Sequence, residues 1–128
     1  MSHYSKQECA GVEDEELLAK ALEDIGCKVE IGENLTIKSP WQNKREVKIK
    51  LPANSGVGNR YEAGFVKNSK GELGLVKESM DSALNKDFIN RVKQHYQKRK
   101  AMKLARQKGL TLQAQRTVGR KIQLVYNV

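Results

Sequence analysis

Glu46-Val47-Lys48-Ile49-Lys50-Leu51 alternates charged and apolar side chains without a break. That is the period of a strand with Val47, Ile49 and Leu51 turned to a core and its lysines to water. A loop rich in small residues, 52–59, separates it from a second alternating run, Tyr61, Ala63 and Phe65. Asn68-Ser69-Lys70-Gly71 carries turn chemistry and leads into a third run, Leu73 to Val76. Three strands joined in succession by hairpins set the frame: an antiparallel sheet.

Upstream, Cys27, Val29 and Ile31 alternate with Lys28 and Glu30, and Leu35 and Ile37 extend that strand beyond a turn at Gly32-Glu33-Asn34. Ser39-Pro40-Trp41-Gln42-Asn43 reads as a loop. Before it all, Leu18, Ala21, Leu22 and Ile25 fall at i, i+3, i+4 and i+7, one apolar helical stripe. Glu13, Asp14, Glu15 and Glu16 crowd the opening turn of that helix, where negative charge meets the positive end of the dipole, and Gly26 ends it. His3 to Cys9 forms a short first strand with weak alternation. Downstream of a linker at Ser79 to Leu84, a second helix runs from an N-cap at Asn85 to Lys108, with Gly109 as its stop. Its length is about 36 Å at the helical rise. Phe88, Val92, Met102 and Ala105 share its stripe, with Ile89 and Tyr96 beside them. Gln97-Lys98-Arg99-Lys100 holds no apolar residue, so the middle of this helix is the less buried part. Leu110, Leu112 and Ala114, a turn at Val118-Gly119, and Ile122, Leu124 and Tyr126 close the chain as a hairpin.

The element order is therefore β-α-β-β-β-β-α-β-β: an α+β protein with a single, mainly antiparallel sheet and two helices packed on one face. A right-handed crossover through the first helix places the first two strands parallel. At 128 residues and 14.5 kDa, residues 1–128 make a single domain. No apolar run approaches the roughly 18 residues of a membrane span, and the first residues lack the order of a secretory signal. Two cysteines in 128 residues make no disulfide framework, and the expected compartment is the cytoplasm.

The charge is unevenly spread. The net +9 divides into −6 over residues 1–35, +5 over residues 36–80 and +10 over residues 81–128. A chain so polarised presents one surface to anions, whether phosphates or an acidic protein.

Several blocks resemble a known family. They are Met1-Ser2-His3-Tyr4-Ser5, Leu18 through Gly26, Tyr61-Glu62-Ala63-Gly64-Phe65 with Asn68 and Gly71, and Leu75-Val76. Phe88-Ile89 through Val92, Gln94, Tyr96, Ala105 and Gly109, then Ile122-Gln123-Leu124-Val125, complete the series. In this order they resemble the hypothetical chloroplast reading frame 35 family, domain of unknown function 1257. The resemblance implies a stand-alone soluble protein, in the plastid stroma if plastid-encoded, sometimes encoded near AAA-type ATPases, with no established activity. It carries no catalytic residues. The chain departs from the family pattern in its more basic Lys98-Arg99-Lys100 and in ending Tyr126-Asn127-Val128 without Arg-Trp.

Chemistry-bearing constellations are thin. His3, Cys9, Cys27 and His95 lack the close ligand pairs of a structural zinc site, so no metal and no cofactor is expected. Cys9 with His3 lacks an orienting acid, and the carboxylates at 13–16 fit a helix start. Asn54-Ser55-Gly56-Val57-Gly58-Asn59-Arg60 contains a G-x-G turn, but no Gly-Lys-Ser/Thr follows and the next element is a strand; a flexible hairpin loop is the better reading. The strongest feature is the basic helix, where Lys98, Arg99, Lys100, Lys103 and Arg106 form the candidate anion- or partner-binding set. Arg99, Lys103 and Arg106 share a face. The expected function is that of a non-enzymatic binding or adaptor module in a larger assembly, with a protein partner. The alternative is RNA or DNA binding through the same helix.

Overall fold

A computed structural model describes residues 3–109, 111–118 and 121–127. Its elements are β1 (Tyr4–Glu8), α1 (Glu15–Asp24), β2 (Glu30–Ile37), β3 (Arg45–Leu51), β4 (Ala63–Lys67), β5 (Leu73–Glu78), α2 (Lys86–Gln107), β6 (Thr111–Val118) and β7 (Lys121–Asn127). The class and order are those the periodicities predict. Strands β1 to β5 form one antiparallel sheet in the order β1-β5-β4-β3-β2, and β6 pairs with β7 as a separate two-stranded ladder. Leu110 and Gly119, the latter in the turn expected at Val118-Gly119, lie outside the described residues.

Hairpin connections explain the sheet. Each of β3, β4 and β5 pairs with its predecessor, so the meander grows from β2 across to β5, and β1 adds to the far side. The expected parallel start holds in direction only, since every pairing within the sheet is antiparallel. β1 and β2 run in the same direction but occupy opposite edges, because the hairpins fill the places between them. The β1-to-β2 connection must then traverse the whole sheet, and α1 is the segment that does so.

Both helices sit on one face. Leu18 and Leu22 of α1 and Val92 and Tyr96 of α2 join Ile49, Phe65 and Leu75 of the sheet in one buried cluster. Helix α1 starts where Asp14 Oδ1 accepts the Leu17 N–H at 3.1 Å. It ends in a Schellman motif: the Gly26 and Cys27 N–H groups bond back to the Glu23 and Leu22 carbonyls, with Gly26 at φ +93°. Helix α2 is capped by Asn85, whose side chain accepts the Phe88 N–H at 3.0 Å.

The opposite face carries a smaller cluster of Ile37, Val47 and Val76, with Tyr4, Leu35 and Val66 packed against it. Val47 therefore leaves the helix-facing cluster that Ile49 and Leu51 share, although simple alternation puts all three together. Strand β2 also departs from the expected pattern. It begins at Glu30, and its register against β3 shifts between Ile31 and Leu35 where Asn34 adopts φ +63°. The expected turn at 32–34 is this bulge inside a continuous edge strand. Cys27 is buried ahead of the strand by the helix cap, while Ile31 is 49% exposed.

Gly64 shows how tightly β3 and β4 pack. A Cβ there would lie 2.5 Å from Val47 Cγ1 and 2.8 Å from the Ile49 carbonyl oxygen. The Gly64→Ala variant should therefore lose about 1–3 kcal/mol, the usual cost of overpacking. Urea unfolding read by circular dichroism checks this, and an unchanged midpoint refutes it.

Candidate functional site

The two helices are chemically locked together. Tyr96 is buried, and its hydroxyl oxygen accepts the N–H groups of Glu13 and Asp14 at 3.2 and 3.1 Å. Those are donors at the start of α1 that no helical carbonyl can satisfy. Arg99 forks onto Asp24, with Nε to Oδ2 at 2.9 Å and Nη2 to Oδ1 at 2.6 Å. Lys103 Nζ lies 3.3 Å from Asp14 Oδ2. His95 Nδ1 stands 3.7 Å from Asp24 Oδ2, too far for a hydrogen bond.

These contacts set the titration. The Arg99 hydrogen bond holds the Asp24 carboxyl below its usual range, against partial burial, with His95 and Lys98 adding to it. Burial alone would raise Asp14, but the Leu17 N–H and Lys103 together bring it below its usual value. Burial pushes the His95 imidazole down. Asp24 opposes this, while Lys98, Arg91 and Arg99 reinforce it.

The five predicted cations thus divide. Arg99, Lys103 and Arg106 do share a face, and with Glu16, Leu17, Lys20 and Met102 they line a groove of about 190 Å³ between the helices. Two of those three are already paired with α1. Lys100 lies on the outer side of α2 with Leu104, which is 47% exposed, and Lys98 is half-buried. No residue between Tyr96 and Ala105 is buried, as the apolar gap at 97–100 predicts. The sequence reading gives Asp14 and Asp24 no part in this site. Two helices of opposite charge on one sheet face are the signal that brings them in.

The other candidates are structural. Asn59 is buried: its Oδ1 accepts from the Ser55 N–H and hydroxyl at 3.1 and 2.8 Å, and its Nδ2 donates to the Pro52 and Tyr61 carbonyls. Buried Asp81 accepts the Arg60 and Tyr61 N–H groups at 2.9 and 3.1 Å. Gly56, at φ +112°, abuts the Gly26 carbonyl so closely that no side chain fits. The loop expected to be flexible is clamped, with its polar groups turned inward. Cys9 and Cys27 are buried free thiols; burial pushes Cys9 up and Cys27 up to about 11. No group of three or more His, Cys, Asp or Glu could hold a metal among the described residues.

One surface feature the sequence reading passes over is the β2–β3 connection. Trp41 is 53% exposed and meets Tyr61 edge-on, ring centroids 5.3 Å apart at 69°. Ser39 ties the loop down: its hydroxyl donates to Glu78 Oε2 at 2.9 Å, and both residues are buried. A single tryptophan in a polar loop bordered by Lys38, Lys44 and Arg45 is the signal in the sequence.

The depressed values predict a two-step acid profile. The unfolded chain, with His near 6.5 and Asp near 3.9, takes up protons that folded His95, Asp14 and Asp24 resist. Stability attributable to His95 is complete above about pH 6.5 and is lost as pH falls from there toward its folded pKa. The aspartate contribution is lost below about pH 4. Urea midpoints measured across pH 7 to 3 should decline in both windows, with His95→Gln flattening the first and Asp24→Asn the second. A His95→Gln slope identical to the unmodified protein's sinks the His95 assignment.

Residues 21–125 match a family model described as "Protein of unknown function (DUF1257)". No curated protein and no solved structure matches the chain. The match covers the end of α1, the four strands β2 to β5, all of α2 and most of the closing hairpin, so the chain belongs to the DUF1257 family of proteins of unknown function.

Proposed function

We propose that this protein is a non-enzymatic binding module that works as an adaptor within a larger assembly. The reading places it beside the chloroplast reading frame 35 proteins, in the cytoplasm or plastid stroma. An AAA-type ATPase is then a natural partner. The carrying observation is the outer side of α2. Lys100, Leu104 and Lys108 follow at i, i+4 and i+8, all exposed, which sets an apolar anchor between two cations. An acidic amphipathic segment is the complement of such a face: its carboxylates meet the lysines and an apolar side chain covers Leu104. The inward-turned polar groups of the 52–60 loop, the capping role of Asp14 and the raised thiols support a binding role over catalysis.

RNA or DNA binding through Lys98, Arg99, Lys100, Lys103 and Arg106 is the weaker reading. Arg99 and Lys103 already meet Asp24 and Asp14, so phosphates would have to displace carboxylates held at 2.6–3.3 Å.

The test is recovery of a tagged chain from nuclease-treated lysate, with stoichiometry read by quantitative mass spectrometry. A partner protein should be retained at near one-to-one. Leu104→Glu, or Lys100→Glu with Lys108→Glu, should reduce its recovery at least about 10-fold, about 1.4 kcal/mol. Recovery that disappears with nuclease, or is indifferent to all three substitutions, overturns the proposal.

A further inference from the structure

The β2–β3 connection offers a different chemistry from α2. Its tip carries Trp41, more than half exposed and in T-shaped contact with Tyr61. Lys38, Lys44 and Arg45 flank it in the chain, all exposed and none in an ion pair among the described residues. Two carboxylates lie nearby. Glu62 is engaged: it accepts the Lys38 N–H at 2.9 Å and pairs with Lys50 at 3.3 Å. Glu46 is exposed.

The loop is also held in place. The Ser39 hydroxyl, bonded to buried Glu78, accepts the Trp41 N–H at 3.4 Å. The Glu62 bond to the Lys38 N–H fixes the other side of the same turn. A tryptophan fixed this way, more than half exposed between cations, leaves indole surface available for contact with a ligand.

We propose that this hairpin tip binds single-stranded nucleic acid, with Trp41 stacking on a base and Lys44 and Arg45 taking the flanking phosphates. Bases have a flat π-face that an indole accepts irrespective of sequence, and each neutralised phosphate releases counterions. A duplex keeps its bases stacked inside and offers only the phosphates, so it loses the indole contact. An acidic protein segment would use the cations but leave the ring without a stacking partner. The site is remote in sequence from Lys100, Leu104 and Lys108, and its outcome is independent of the adaptor reading.

Trp41 is the single tryptophan of the chain, so its fluorescence reports the site directly. The probes are fluorescein-labelled oligo(U) and oligo(dT) of about 12 nucleotides, a duplex of the same length, and polyglutamate, each read by anisotropy and tryptophan quenching at about 50 and about 200 mM salt. Both single strands should quench Trp41; a clear preference for one identifies RNA or DNA as the ligand. Trp41→Ala should weaken binding about 5- to 150-fold, the span measured for a stacked base, and Trp41→Phe should keep most of it. Lys44→Gln with Arg45→Gln should flatten the slope of log affinity against log salt by about 0.7 per lost phosphate contact. Circular dichroism confirms that the loop variants fold. No binding at the lower salt, binding without quenching, Trp41→Ala indistinguishable from the parent, or equal quenching by duplex or polyglutamate overturns the proposal, the last in favour of an acidic protein.

Discussion

The hydroxyl of Tyr96 is the constraint on which the rest of the molecule turns. It sits in the core on α2 and accepts the two N–H groups at the start of α1. The donors are only partly buried, so each bond is worth about 1 kcal/mol, and together they favour one start for α1. Once the start is fixed, the helix must cross the sheet, because hairpins have placed β1 and β2 at opposite edges. Asp24 then arrives beside Arg99, and Asp14 beside Lys103. The ion pairs follow from the docking rather than cause it, in keeping with the modest energies of pairs near the surface.

Those pairs change what the net charge means. Read along the chain, an acidic first helix and a basic second helix are two separate, oppositely charged surfaces. In the fold they face each other across one groove and partly cancel. Cations without an internal partner among the described residues therefore matter more than the densest run in the sequence. Among them are Lys100 and Lys108 on the outer side of α2, and Lys38, Lys44 and Arg45 around the β2–β3 connection.

Local rules made most of the fold legible. The stripe Leu18, Ala21, Leu22, the acidic opening turn at 13–16, the cap at Asn85, and the glycine stops at Gly26 and Gly109 are all set within a turn or two of chain. Alternation located β3, β4 and β5. It failed at β2, where Asn34 in the left-handed region shifts the register and exposes Ile31, and at Val47, which packs on the far face. A bulge depends on the partner strand as much as on its own residues, so period-two reading has no access to it. The candidate site was legible to a lesser degree. Spacing put Arg99, Lys103 and Arg106 on one face, but it could not show that Asp24, 75 positions away, had claimed one of them.

The Trp41 loop shows why an anchored surface feature carries more weight than a charged one. Lysines on a solvated helix lose rotamer freedom when they bind, and much of the attraction is spent on ordering them. Trp41 is held by its contact with Tyr61, and its backbone by Ser39, which is itself bonded to a buried carboxylate on β5. Little further order is lost when a flat ligand lies against it. Burying Glu78 for the sake of a surface loop is costly in a small protein. That cost leaves the loop's shape set by the scaffold rather than by the loop's own residues.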